Sequence, residues 1–221
     1  MSKSESTLFS MVLTMLVITV IAGAAMGFVY EITKEPIAAS KLQKKLEAIQ
    51  EVLPEFNNNP ADEEYEMKSN RGFTLTVFPA KKDGELIGVA IQTMSNLGFS
   101  GDIKIMVGMT PDGTIVNYKV LEHKETPGLG TKMDDWFKTD KGNRSVIGKN
   151  PGKNKLTVKN DGGEVDAITA ATITSRAFLD AIEIAYSTYT QKTDATSSAT
   201  SQTDGTTSAT NQNDGKEAND E

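Results

Sequence analysis

The chain of 221 residues has no cysteine and a single histidine, His123. The first absence excludes disulfides, thiolate chemistry and cysteine-held iron–sulfur clusters. The second excludes a zinc or haem site built from several imidazoles. Any redox chemistry here must therefore be carried by an organic cofactor. Positive charge is also scarce: 23 Lys and Arg against 30 Asp and Glu leave a net charge of −7, which argues against nucleic acid as a partner.

What the chain does have begins with one long apolar run. Residues 8–30 read LFSMVLTMLVITVIAGAAMGFVY without a charge. Roughly 22 residues at about 1.5 Å each make a helix of about 33 Å, against a hydrocarbon core of about 30 Å. The leading reading is an uncleaved transmembrane helix preceded by a short cytoplasmic N-terminus, 1–7. The competing reading is a cleaved signal peptide, since Ala22-Gly23-Ala24-Ala25 is loosely like a cleavage site; the apolar character nevertheless continues through Met26, Phe28 and Val29. Gly23 and Gly27 have the G-x-x-x-G spacing that lets a second membrane helix approach closely, although small residues are common in such helices. Lys34, Lys41, Lys44 and Lys45 after the run, against Lys3 before it, place the following domain inside by count. The last three belong to the domain's own first helix, which weakens that signal.

The remaining residues, about 150 without the polar tail, suffice for one core. Segment 31–72 is expected to hold a helix from Pro36 to Leu53, with Ile37, Leu42, Leu46, Ile49, Val52 and Leu53 near one face, followed by a connecting stretch in which 61–72 is polar and uninformative. From 73 to 190 short apolar runs alternate with glycine-bearing turns. Strands are expected over 73–78, 86–93, 103–109 and 115–120, with short ones at 156–158 and 165–168. A short helix should begin near Asp134, with Trp136 and Phe137 used for core contacts rather than stacking on a ligand. A final amphipathic helix carries Phe178, Ile182, Ala185 and Tyr189, with Thr174 or Ser175 as its N-cap. The fold class is thus α+β: a transmembrane helix, then one domain with an antiparallel sheet and flanking helices, and a disordered polar C-terminal tail at 191–221.

One stretch stands apart: Asp166-Ala-Ile-Thr169-Ala170-Ala-Thr172-Ile-Thr174-Ser175. It ends a strand-like run and opens the last helix. A helix N-terminus offers free amides and a partial positive charge, so it suits a phosphate. The plain alternative is a hydroxyl-rich cap that only starts a helix, and on physical grounds alone that alternative is the commoner case.

The same stretch resembles the flavinylation motif of the FMN-binding domain family, whose members include the G subunit of the Rnf ion-translocating electron transport complex and the C subunit of the sodium-translocating NADH:quinone reductase. Glu125-Thr-Pro-Gly-Leu-Gly130 is similar to that family's loop beside the flavin, and Gly98-Phe-Ser-Gly-Asp-Ile103 to the glycine-aromatic turn before it. The resemblance spans roughly residues 8–190. It implies FMN joined covalently to Thr172 through a phosphoester by a flavin transferase. It further implies Glu125, Thr126 and Leu129 along the isoalloxazine, and Thr174 and Ser175 at the phosphate. His123 is more simply structural, and Lys132 is as readily a solvated surface residue as a partner for flavin charge. Thr169 and Ala170 stand where Ser and Gly are usual, so a turn needing positive φ at 170 would strain an alanine. The function implied is a membrane-anchored electron-relaying subunit within an Rnf-type complex that couples ferredoxin and NAD chemistry to ion translocation. Its other subunits and the membrane would be its partners, and its domain would lie on the periplasmic side of the inner membrane. The alternatives are the quinone reductase subunit and an anchored anion- or partner-binding domain without flavin.

Overall fold

The computed structural model describes residues 8–201. It opens with one helix, α1 (Leu8–Val52), rather than two helices divided before Pro36. Proline lacks one amide donor, but residues 31–35 contain no glycine or turn former. The junction is also braced by an ion pair between Lys34 and Glu31 and by Thr33 Oγ1 donating to the Val29 carbonyl (2.7 Å). From Leu8 to Ile32 every residue is exposed, and the helix is long and apolar enough to cross a membrane.

Five strands follow: β1 (Tyr65–Lys68), β2 (Thr74–Lys82), β3 (Glu85–Ser95), β4 (Ile103–Met109) and β5 (Ile115–Glu122). They form an antiparallel meander in the order β1-β2-β3-β4-β5. β1 lies in the stretch read as uninformative. It is an edge strand in which Met67 is the buried residue, so its sequence carries little apolar alternation. The expected strands at 156–158 and 165–168 are absent. An isolated parallel bridge between Val158 and Val165 stands in their place, around a 3-10 turn at Lys159–Asp161. A second 3-10 turn, Gly130–Lys132, leads into α2 (Met133–Trp136), and the chain closes with α3 (Thr172–Ser201). The rest of the polar tail, 202–221, lies outside the described residues, as does the N-terminal segment 1–7.

The period-two alternation of the strands separates two apolar clusters. On one face Val77, Ile91, Ile105, Val107 and Met109 meet Phe178, Ile182 and Ala185 of α3. Phe178 stacks on Phe137 (4.4 Å between centroids) and meets Tyr118 edge-on (4.7 Å). Burial pushes the Tyr118 hydroxyl well above the usual tyrosine range, and it donates to the Met133 carbonyl (2.6 Å). α3 is also fastened to β3 by polar bonds. Thr93 Oγ1 donates to the Ala181 carbonyl (3.1 Å), and Ser95 Oγ donates to Asp180 (2.7 Å).

On the other face Phe78, Ala80, Ala90 and Met106 meet Ala48, Ile49 and Val52 at the end of α1 and Leu53 just after it. Each large apolar side chain fully buried there contributes roughly 1.5–3 kcal/mol. Of the apolar stripe read along this helix, only that last part is covered. Ile37, Leu42 and Leu46 are exposed, because the sheet meets the helix only over its final two turns.

Candidate cofactor site

Three segments leave the same end of the sheet and converge. The turn 98–101 follows β3, the loop 125–130 follows β5, and the segment 168–175 enters α3. They enclose a cleft of about 360 Å³ lined by Phe99, Glu125, Thr126, Leu129 and Gly130 and by residues 170–174. That volume lies within the range of small-molecule sites.

Glu125 joins the three. Its carboxylate is buried (4% exposed); it accepts from the Ser100 amide (3.0 Å) and from the Thr174 hydroxyl. Its own amide donates to His123 Nδ1 (3.1 Å), so the histidine holds the loop instead of facing the cleft. Gly98 and Gly130 make room for this arrangement. A Cβ on Gly98 would stand 2.2 Å from the Gly101 carbonyl oxygen, and one on Gly130 would stand 2.6 Å from the Glu125 Cβ and 2.9 Å from the Thr174 hydroxyl.

The third wall turns at Ala170, which takes a left-handed conformation (φ +63°). α3 begins at Thr172, two residues before the earlier of the two expected caps. Neither Thr174 nor Ser175 is the cap. Ser175 is fully buried; its hydroxyl accepts from the Ile168 amide (2.9 Å) and donates to the Ala171 carbonyl (2.9 Å), locking the turn from behind. It does not line the cleft. Thr174 does, with its hydroxyl engaged by Glu125. Thr172 lines the cleft half-exposed, and its hydroxyl makes no hydrogen bond among the described residues. The amides of Thr172, Ile173 and Thr174 are likewise without a partner there. Free amides beside a free hydroxyl, at a helix start with short side chains before it, form a seat that fits a phosphate monoester.

Asp166, first residue of the motif, stands outside the cleft. It accepts from Asn143 N (2.8 Å) and pairs with Lys159 (2.7 Å). The Lys159 hydrogen bond, followed by that from the Asn143 amide, holds its carboxyl below the usual range. Its carbonyl accepts from Trp136 Nε1 (2.9 Å), and Arg144 lies over the Trp136 ring (3.7 Å). Trp136 thus braces the motif loop while Phe137 is in the core. Lys132 is exposed and does not line the cleft.

Glu125, Thr126, Leu129, Thr172 and Thr174 therefore come together; Ser175 supports them. Sequence reasoning left out Phe99 and Ile173, exposed apolar residues on the cleft (67% and 46%). Phe99 had a signal in its Gly98–Gly101 turn; Ile173 had none apart from its neighbours. The walls combine apolar contact with one buried carboxylate and a phosphate seat at the base, which suits a flat ring system carrying a phosphate tail.

Comparison with known proteins points the same way. Residues 98–187 match the family described as "FMN-binding domain", a span that contains all three segments. The G subunit of the ion-translocating oxidoreductase complex of Vibrio cholerae serotype O1 (strain M66-2) is 32% identical over 180 residues, 76% of this chain and 85% of that protein. The protein of the same name from Erwinia tasmaniensis is 34% identical over 179 residues, 77% of this chain and 84% of that one. Its counterpart from Salmonella typhi is 36% identical over 162 residues, 69% of this chain and 77% of that one.

Proposed function

Because the chain belongs to the family formed by the G subunits of ion-translocating oxidoreductase complexes, we propose that it is a membrane-anchored flavoprotein component of such a complex. In this reading FMN lies in the cleft, joined by a phosphoester to Thr172. The single observation that carries it is the cleft itself: three segments distant in sequence meet around a half-exposed threonine hydroxyl and free helix amides. When bound, FMN supplies one-electron transfer, and that chemistry asks neither cysteine nor metal of this chain.

The chain's own residues have separable tasks. Thr172 offers its Oγ1 as the acceptor atom for the flavin transferase, and the amides at the start of α3 neutralise phosphate charge. Phe99, Thr126, Leu129 and Ile173 exclude water from the ring. Glu125 and Ser175 hold the walls in register. A covalent tether prevents loss of the cofactor from a domain outside the membrane. In this reading the domain lies on the periplasmic side of the inner membrane, with α1 as its anchor. The complex would pass electrons between ferredoxin and NAD and couple that transfer to ion movement.

The test is in-gel fluorescence after denaturation, on full-length chain expressed with a flavin transferase. The wild type and Thr169→Ala should fluoresce, Thr172→Ala should not, and the peptide containing Thr172 should carry an added FMN-sized mass. Fluorescence persisting in Thr172→Ala would sink the assignment of the acceptor.

A further inference from the structure

A second groove, of about 560 Å³, opens where α1 crosses the far face of the sheet. Lys41, Leu42, Lys44 and Lys45 of α1 line it, with Lys104 and Glu122 of β4 and β5. It gathers four lysines and one carboxylate on a chain whose net charge is −7. Part of that charge is met internally. Lys104 pairs with Glu122 (2.9 Å); Lys45 pairs with Glu64 (3.0 Å) and lies over the Phe78 ring (4.6 Å). Lys41 and Lys44 have no ion pair among the described residues. Both also line a shallower depression that continues along α1 to Ile37 and Thr33. Ile37 and Leu42 are more than half exposed beside them (52% and 58%).

We propose that this groove receives an acidic segment of a neighbouring subunit of the same complex. The proposal rests on the reading of the chain as a component of that complex. Its chemistry follows from the lining: unpaired cations call for carboxylates, and the exposed Ile37 and Leu42 call for an apolar residue among them. Height decides between a protein and the membrane surface as occupant. At about 1.5 Å per residue, Lys41 stands about 16 Å and Lys45 about 22 Å beyond Tyr30, whereas a headgroup layer is about 5–8 Å deep. The lysines are therefore clear of anionic headgroups and within reach of a neighbour that rises from the membrane alongside α1. β5 ends in the groove at Glu122 and the loop after it enters the cleft at Glu125, so a protein held here stands next to the cleft.

The experiment uses the full-length chain in its native complex. Lys41 and Lys44 are exposed, so the Lys41→Glu/Lys44→Glu double variant should fold and keep wild-type in-gel flavin fluorescence. Recovery of the other subunits with it should fall about tenfold or more, with a smaller fall for Lys41→Gln/Lys44→Gln. A photo-crosslinker at position 41 should join to an acidic stretch of one neighbouring subunit, and reversing the charge of that stretch should restore recovery with the double variant. Unchanged recovery, or crosslinks to lipid alone, would overturn the proposal while leaving the flavin reading untouched. Absence of fluorescence in the wild type would overturn the flavin reading instead.

Discussion

Ala170 sits in the left-handed region at φ +63°, where a side chain costs roughly 1–2 kcal/mol and glycine costs nothing sterically. Glycine pays part of that back in unfolded-state freedom. Ala170→Gly is therefore expected to be neutral or to stabilise by up to about 1 kcal/mol, and the β-branched Ala170→Val to destabilise by more than about 1 kcal/mol. Thermal unfolding in detergent, followed by the single tryptophan Trp136, would show the order Gly, Ala, Val; a Val variant as stable as wild type would contradict the strain. Glu125 is the second decisive residue. Glu125→Ala leaves the Ser100 amide and the Thr174 hydroxyl without their acceptor, at a cost of about 2 kcal/mol or more. Glu125→Gln retains one acceptor oxygen, which can serve either the Ser100 amide or the Thr174 hydroxyl, so it should lose clearly less in the same melt. Equal losses would mean that the carboxylate contributes only its volume. The motif pointed to Thr172, and the structure brings it to the cleft. The supporting role of Ser175 was not, because a hydroxyl in a helix start reads the same whether it faces a cleft or the chain behind it.

Among the elements, the end of α1 covers the face of the sheet opposite α3. It lies directly on β4 at Gly108, where a Cβ would stand 1.8 Å from the Val52 carbonyl oxygen. The clash is with backbone, so no rotamer relieves it. Gly108→Ala should displace the last turn of α1 and cost about 2–3 kcal/mol. Hydrogen exchange over residues 45–53 should rise markedly, with flavin fluorescence retained; unchanged exchange would show that the helix end is not seated there. The meander itself was readable from apolar runs between glycine turns. β1 was not, since an edge strand with one buried side chain has no pattern to show. The continuity of α1 through Pro36 was also hidden, because proline marks both a helix start and a tolerated interior position when the freed carbonyl is exposed.

At the scale of the whole molecule, an exposed apolar helix of membrane length carries a domain whose cleft lies at one end of the sheet. The lysine count and the family resemblance disagree about which side of the membrane holds it. Lys41, Lys44 and Lys45 stand on the part of α1 beyond the apolar run, and the first two line the basic groove without an ion pair among the described residues. On the periplasmic placement proposed above, protease added to intact spheroplasts should digest the domain without lysis. Protection until lysis would place it on the cytoplasmic side.

Composition and pattern by themselves determined that no thiolate, cysteine-held cluster or multi-histidine metal site is possible, that one apolar run can span a membrane, and that the remainder folds as an antiparallel α+β domain. Those are properties of residue counts and local periodicity. Tertiary structure alone decided that Phe99 joins Glu125 and Thr172 on one cleft, that Ser175 and His123 stand behind it, and that four lysines from α1 and β4 share a groove. Such juxtapositions depend on chain reversals that bring residues tens of positions apart within hydrogen-bond distance, and no local signal encodes which way a side chain then points.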